Sequence, residues 1–459
     1  MIRKLLHRAA RVLRRGYGTS TNTTSTTGRP AIIPQSSHGI RPEALSSGAR
    51  RTCEALQQAG FKAFVVGGAV RDLIAGIPPK DFDIATDATP EQVRGVFRRA
   101  RLIGRRFQIV HVMQGGETLE VSTFRAAHDA TTQKDEYGRV LRDNVWGNQA
   151  EDAARRDFTV NALYYDPVSQ AVHDYHHGVA DLQQKTLRII GDPPVRYRED
   201  PVRMLRAIRL SAKLGLSIDP AARAPIRDMA SLLENIPAAR IFDEMLKLLF
   251  SGHAYECLKR LRDEGLHHGL LPLLDVILEQ PGGEQFIILA LGNTDQRIRA
   301  GKPVSPGFLF ATLLWHEVLG HWQQRKERGE LPTPALFAAM DEVLDQQAEK
   351  LAITRRISGD IKEIWALQPR FDKRHGKSPQ RLLEQPRFRA AYDFMLLRVQ
   401  SGEAPQELAD WWTHFQETDP AGRAALLLPE NSGSGKKRRR GSRQRGKKSD
   451  DLPGSGSDT

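Results

Sequence analysis

Val65-Val66-Gly67-Gly68-Ala69-Val70-Arg71-Asp72 is followed, eight residues later, by Asp81-Phe82-Asp83. This stretch decides the reading of the N-terminal half. Phe64 to Val66 reads as a short apolar strand and the two glycines as a tight turn. Ala69 to Ala75 opens a helix, and Lys80 to Ala85 reads as a second strand. Glycine lets a backbone approach a bulky anion, and a helix N-terminus offers N–H groups to phosphate. Side chains two apart on a strand share a face, so Asp81 and Asp83 would present two carboxylates roughly 7 Å apart. Paired hard oxygen ligands beside a phosphate-binding turn suit Mg²⁺ in phosphoryl or nucleotidyl transfer. Alone, a double glycine is often only a turn and a DxD only a solvated strand end. Together, at this spacing, they are far more specific.

Working outward, Arg41 to Gly60 reads as an amphipathic helix leading into the turn. Thr89-Pro90-Glu91-Gln92 starts another, with Thr89 as N-cap and proline at the first helical position, running to about Arg99. Phe107 to Met113 and Thr118 to Phe124 read as strands joined by Gln114-Gly115-Gly116. On the second of these, Glu120, Ser122 and Phe124 share one face. His128 to Gln149 is polar and glycine-punctuated, the composition of a mobile loop near a site. Arg155-Arg156-Asp157-Phe158-Thr159-Val160-Asn161-Ala162 follows. Guanidinium groups fork onto phosphate oxygens, so the two arginines suit a triphosphate. Asp157 and Asn161 could read ribose hydroxyls or support a metal site; alternatively, Asp157 caps a helix.

Arg196 to Arg209 opens a strong helix, with Asp200 as N-cap and Pro201 its first residue. Asp200 and Arg203 lie three apart, near one face. A carboxylate accepts from an exocyclic amine and a guanidinium donates to a ring nitrogen. Adenine offers that pair at N6 and N1, cytosine at N4 and N3, so the two residues do not separate these bases. Beyond Gly215 the pattern is helical, over 241–250, 255–264, 307–322, 334–352, 357–367, 388–400 and 407–416.

GGxVRD, DxD, RRDFTxNA and EDxxR together resemble the signatures of the tRNA nucleotidyltransferase/poly(A) polymerase family, over roughly residues 30–420. Gly104-Arg105-Arg106-Phe107 with His111-Val112, the long 125–155 insertion, the 196–216 segment and the basic C-terminus are closer to bacterial poly(A) polymerases than to CCA-adding enzymes. The resemblance implies an α+β chain: a polymerase-β-type nucleotidyltransferase head with a mixed sheet, then an all-helical neck and body. The corresponding bounds are a basic disordered arm at 1–40, the head at 41–185, the neck at 186–250, the body at 251–430 and a basic disordered tail at 431–459. It implies that Glu120 joins Asp81 and Asp83 as the third metal ligand, with Asp157 as the other candidate for an essential carboxylate. Two Mg²⁺ ions would serve, one at the RNA 3′-hydroxyl and one on the ATP triphosphate. Gly67, Gly68, Arg71, Arg156, Asn161, Asp200, Arg203 and Arg206 would bind the nucleotide. The implied activity is template-independent addition of AMP from ATP to RNA 3′ ends, of mRNA or structured RNA, in processing and decay. A CCA-adding enzyme and a non-catalytic RNA-binding relative are the alternatives. RNA-decay proteins are the expected protein partners of an otherwise monomeric chain.

The net charge of +13 is confined to the ends. Residues 1–30 hold seven Lys/Arg and no acid, residues 431–459 hold nine against three Asp, and the remainder is formally neutral. Such tails bind polyanions through salt-sensitive contacts. An Arg- and Ser/Thr-rich N-terminus also fits an organellar transit peptide, but the bacterial resemblance favours the cytoplasm. No apolar run reaches transmembrane length, and two distant cysteines, Cys53 and Cys257, exclude a disulfide framework or cysteine zinc site. His316-Glu317-Val318-Leu319-Gly320-His321 is one residue too long for a zinc HExxH, which sets its histidines about 140° apart on a helix. Gly376-Lys377-Ser378 lacks the first glycine of a P-loop, since Phe371 stands there. His173, His176 and His177 read as loop or surface histidines.

Overall fold

The computed structural model describes residues 28–104, 108–126, 145–267, 283–348 and 351–429. The basic tail at 431–459, most of the arm at 1–40, the pair Arg105-Arg106 and most of the polar stretch 128–149 lie outside the described residues.

The head is built on eight strands: β1 (Ala31–Ile33), β2 (Ala63–Val66), β3 (Asp83–Thr86), β4 (Ala100–Ile103), β5 (Ile109–Gln114), β6 (Glu117–Thr123), β7 (Leu163–Asp166) and β8 (Ala171–Asp174). Their order is β1-β8-β7-β2-β3-β6-β5-β4. Every pairing is antiparallel except β3 with β6, so the sheet is mixed as expected.

Strand alternation sorts the side chains into two layers. Val65, Ile84, Val110, Val112, Leu119 and Val121 face a core shared with α1 (Ser47–Gln58), α2 (Gly68–Ile74) and α3 (Pro90–Val96). On the opposite face Phe64, Val66, Ala85 and Tyr164 pack with Phe124 and with Ala153 of α4 (Gln149–Arg155). The Thr89 capping box forms as expected: its hydroxyl accepts from Gln92 N–H, and the Gln92 side chain accepts from Thr89 N–H.

Three strands differ from the sequence reading. The helix expected to reach Arg99 stops at Val96, Phe97 is extended, and β4 forms against β5. β7 and β8 form a hairpin joined to β2 by pairing across about a hundred residues, which periodicity cannot foresee. Residues 31–40 belong to the head rather than to a disordered arm: β1 pairs with β8, and Ile40 is buried. A short helix, α5 (Gly178–Gln183), closes the head.

The helix expected to start at Pro201 begins at Val202, and a separate short helix precedes it. α6 (Pro193–Glu199) is capped by Asp192, whose side chain accepts from Val195 N–H, and Asp200 ends it in an extended conformation. α7 (Val202–Leu214) follows, with no side-chain cap at its start. The Asp200 side chain is therefore not an N-cap; only its carbonyl accepts, from Arg203 N–H.

The longer of the remaining described helices are α8 (Ala238–Leu249), α9 (Ala254–Asp263), α10 (Gly283–Arg299), α11 (Pro306–Glu327), α12 (Pro332–Ala348), α13 (Arg355–Leu367), α14 (Phe388–Gln400) and α15 (Gln406–Glu417). α10 was absent from the sequence reading, where the preceding Pro281-Gly282-Gly283 marks a break. One apolar core runs from Phe158 and Val160 of the head through α7 to α14, so head, neck and body are not separately packed. A second, around Phe371, Phe388, Trp412 and Phe415, holds the C-terminal helices. In α11, His316 packs edge-on against Phe286, while His321 lies against Glu317 and Glu342, so the two histidines do not share a ligand.

Candidate active site

β2 ends at Val66, and Gly67 turns the chain at φ 68°, ψ −126°, a conformation that essentially only glycine adopts. A Cβ there would stand 3.1 Å from Arg156 Nη1. Gly68 then opens α2. The chain returns to the sheet at Asp83, the first residue of β3, opposite Val66 on one side and Glu120 of β6 on the other. The strand expected from Lys80 thus begins three residues later, and Asp81 is an exposed side chain just ahead of it.

Opposed residues on paired strands point to the same face, so Asp83 and Glu120 stand side by side. By accessible area Asp83 is exposed, yet it sits on the floor of a cleft. Crowding by protein, with the charges of Glu120 and Asp81, pushes its carboxyl up to about 6 against the pull of Arg156. His111 of β5 continues the row, its Nε2 3.6 Å from Glu120 Oε1.

The cleft, about 300 Å³, is lined by Asp83, Glu120 and Ser122 and by the guanidinium groups of Arg125, Arg155 and Arg156. A larger cleft of about 520 Å³ lies among α10, α11 and α14, but it offers one carboxylate, Asp393, among arginines. The chemistry selects the smaller one. Arg156 is held rigidly: Nε donates to Tyr164 Oη at 3.0 Å, Nη2 to Asp152 Oδ2 at 3.1 Å and Nη1 to the Asn161 carbonyl at 3.3 Å. Burial opposes its charge, but Tyr164 and Asp152 more than restore it and hold its pKa above the ordinary value. Arg155 is pushed down to about 9 by burial and by the like charges of Arg125, Arg156, Arg196 and Arg203. Crowded guanidinium groups beside a carboxylate pair make a site for a polyanion that arrives with cations. Arg155, read with Arg156 as suited to a triphosphate, lines the cleft, whereas Arg125 and Asp152 were not among the expected site residues.

Among the described residues no group of three or more His, Cys, Asp or Glu side chains is close enough to hold a metal unaided. The donor set still fits Mg²⁺. It consists of hard carboxylate oxygens whose mutual repulsion is visible in Asp83, and Mg²⁺ completes its shell with water and substrate phosphates. Asp83 and Glu120, with Asp81 alongside, are the residues that would hold it.

Several expected nucleotide contacts are turned inward instead. Arg71 donates through Nη1 to Asn161 Oδ1 at 2.6 Å and through Nε to Asp72 Oδ1 at 2.7 Å. Asn161 Nδ2 donates to Asp157 Oδ1 at 2.9 Å, and Asp157 Oδ2 meets Arg206 Nη2 at 2.6 Å. Both Asp157 oxygens are thus engaged by Asn161 and Arg206, whereas Glu120 opposes Asp83 in register across the sheet. Burial opposes the Asp157 charge, but Arg206, Asn161 and the Phe158 N–H hold its pKa below the usual carboxylate range. The Asp200 and Arg203 side chains are bonded to other groups and not to each other. Arg203 Nη1 donates to the Arg196 carbonyl at 2.8 Å and Glu199 Oε2 at 3.2 Å. Asp200 Oδ2 accepts from Arg240 Nη2 at 2.8 Å, while its Oδ1 is buried without a hydrogen-bond partner among the described residues.

Three family profiles match this chain: "Poly A polymerase head domain" over residues 63–188, "Probable RNA and SrmB- binding site of polymerase A" over 215–278, and "Polymerase A arginine-rich C-terminus" over 328–446. Poly(A) polymerase I of Salmonella typhimurium is 44% identical over 89% of this chain and 90% of its own length. The chain belongs to the poly(A) polymerase family. The Haemophilus influenzae poly(A) polymerase I is 43% identical over 86% of this chain and 90% of its own. The CCA-adding enzyme of Lactobacillus helveticus is 37% identical, but over only 46% of this chain and 52% of its own. Among solved structures, a tRNA-processing enzyme (apo form I) shares the fold with a TM-score of 0.58 at 18% identity, covering 87% of this chain and 98% of that one. As a member of the poly(A) polymerase family, this chain is a nucleotidyltransferase.

Proposed function

We propose that this protein lengthens RNA 3′ ends with AMP taken from ATP, without a template. The observation that carries the reading is the Asp83–Glu120 pair, set in register between the Gly67 turn and the arginine cluster. The 43–44% identity to poly(A) polymerases over most of the chain supports it over the CCA-adding alternative, whose relatives match about half.

In this mechanism the triphosphate lies along Gly67 and Gly68, where the missing side chains let it approach, and Arg155 and Arg156 take its charge. Arg156, fixed by Tyr164 and Asp152, costs little reorganisation as negative charge builds on the leaving pyrophosphate. Two Mg²⁺, when bound, supply charge neutralisation and a more acidic 3′-hydroxyl. Asp83, Glu120 and Asp81 hold and orient that chemistry. Asp200 Oδ1 accepts from the adenine amine, and Arg203 completes base selection once it exchanges its Arg196 contact for the ring nitrogen. Arg71, Asn161, Asp157 and Arg206 act as a rigid support behind the site, not as nucleotide contacts. The neck and body grip RNA, a reading supported by the RNA-binding profile over 215–278, and the chain acts as a cytoplasmic monomer with RNA-decay proteins as partners.

The test supplies each NTP with Mg²⁺ to the purified chain, using an oligo(A) primer and a tRNA lacking its end. ATP-only extension of the oligo(A) is the expected result. A stop after a trinucleotide on the tRNA would assign the CCA-adding activity instead, and binding without incorporation would remove the enzyme.

A further inference from the structure

Among the described residues, elements cover only half the width of the sheet face that carries Asp83 and Glu120. α4 and the cluster of Phe64, Phe124 and Tyr164 lie over β2, β3 and β7. Over β6, β5 and β4 the same face carries a continuous cross-strand row. Asp83 opposes Glu120, Glu120 opposes His111, and His111 opposes Arg101. On the same face Ile103 opposes Ile109 and Met113 opposes Thr118. The reverse side of β5 and β6 is core, through Val110, Val112, Leu119 and Val121, while on the edge strand β4 Leu102 is 38% exposed on that side. Alternation therefore calls for polar residues outward. Ile103 and Met113 break that rule at 42% and 48% exposure, with the exposed Arg101 between them in register. Exposed apolar side chains grouped around a cation mark a contact surface.

The reaction geometry names the occupant. In-line transfer sets the attacking oxygen and the leaving pyrophosphate on opposite sides of the α-phosphorus. The Gly67 turn and Arg156, which take the triphosphate, lie on the β2 side of Asp83. The acceptor hydroxyl must then come from the Glu120 side, where the row toward Arg101 begins. Two strand spacings put Arg101 roughly 10 Å from Glu120, the reach of a nucleotide or two.

We propose that this half-face is the subsite for the last nucleotides of the RNA acceptor. Their bases lie on Ile103 and Met113, and Arg101 binds a phosphate. Single strands are held in this way elsewhere, by side chains under the bases and cations along the backbone. The proposal rests on the polyadenylation reading. Charge favours RNA over a second copy of the chain, because the cation stands beside the carboxylates that the acceptor must reach.

The test uses the full chain with Arg101→Glu and, separately, Met113→Ser, both at exposed positions. Oligo(A) and ATP are varied independently. Arg101→Glu is expected to raise the primer KM about tenfold or more while kcat and the ATP KM stay within about twofold. The slope of primer binding against salt should fall by about one. A second readout needs no turnover: oligo(A) ending in 4-thiouridine is photocrosslinked and the adducts mapped, with residues 99–116 expected. An unchanged primer KM in an enzyme that still adds AMP overturns the proposal, as do crosslinks confined to the helical body. An unchanged primer KM with an altered sedimentation coefficient gives the face to a second copy and equally overturns it. If the unaltered chain adds no AMP, the polyadenylation reading fails, and the crosslink map still decides whether RNA lies on this surface.

Discussion

Arg206 Nη2 lies 2.6 Å from Asp157 Oδ2, so a carboxylate of the head is closed off by the neck helix α7. Along the same helix, Lys213 Nζ lies 2.8 Å from Asp72 Oδ2. Between these two ends run Arg71 and Asn161, each bonded to its neighbours. The relay fixes the helix after the glycine turn, the Arg155–Asn161 segment and the neck against one another. The carboxylate–arginine cleft and the residues proposed to select the base are then parts of one framework.

Removing Arg206 should therefore unlock the framework. Arg206→Ala leaves the Asp157 carboxylate buried without its cation. We expect a loss of about 2 kcal/mol by denaturant unfolding, below the value for a wholly buried pair because Arg206 is partly solvated. Asp157 has a depressed folded-state pKa, so its contribution is present above the unfolded carboxylate value of about 4 and is lost as pH falls through the lower folded value. The Arg206→Ala chain should show a weaker acid-side loss than the parent.

Asp83 gives the opposite sign. Its pKa is pushed up to about 6, so the ionised group opposes folding: stability contributed below about pH 4 is lost as pH rises through about 6. Asp83→Asn should be more stable than the parent at pH 7.5 without divalent cations. Solvent screening of this accessible carboxylate limits the gain to about 1 kcal/mol. AMP incorporation should fall by three or more orders of magnitude (roughly 4 kcal/mol in the barrier). Calorimetry with and without Mg²⁺ and a primer-extension assay check the two halves.

Gly67→Ala forces a side chain into a backbone conformation suited to glycine and against Arg156 Nη1. A cost of about 1–3 kcal/mol in stability is expected. Because Arg156 must shift, the ATP KM should rise more than the primer KM. Steady-state kinetics with each substrate varied separately would show the difference.

The cluster of Arg125, Arg155 and Arg156 should be relieved by a polyanion. Tripolyphosphate at a hundred times its dissociation constant should stabilise the chain by about 2.7 kcal/mol. The shift should shrink with added salt and in Arg155→Met, as read by thermal unfolding. An equal shift in parent and variant would place the anion elsewhere.

Much of this was legible from local pattern. The glycine turn, the Thr89 cap, the core faces of β5 and β6 and most of the body helices follow from periodicity and capping, which depend on neighbours within a few residues. Glu120 was identified through resemblance, and the parallel register with Asp83 gives the physical reason. β1 and β7 were missed because each is defined by a partner about a hundred or more residues away, β8 and β2 respectively, while β4 was missed although its partner β5 is near in sequence. Arg71, Asn161 and Arg206 were read as binding the nucleotide and Asp157 as a ribose reader, a metal-site carboxylate or a cap, and sequence gives no means of telling an arginine that meets a ligand from one that meets a buried carboxylate.

By itself the sequence determined the chemistry: which acids, guanidinium groups and glycines are available, on which kind of element, and in which family. Only the tertiary structure decided their use. Lys213 and Asp72 are 141 residues apart, and Asp157 and Arg206 belong to different parts of the chain. Whether a charged group faces the cleft or is sealed behind it depends on the partner that packing brings near, since a buried charge is stable only when another group compensates its lost hydration.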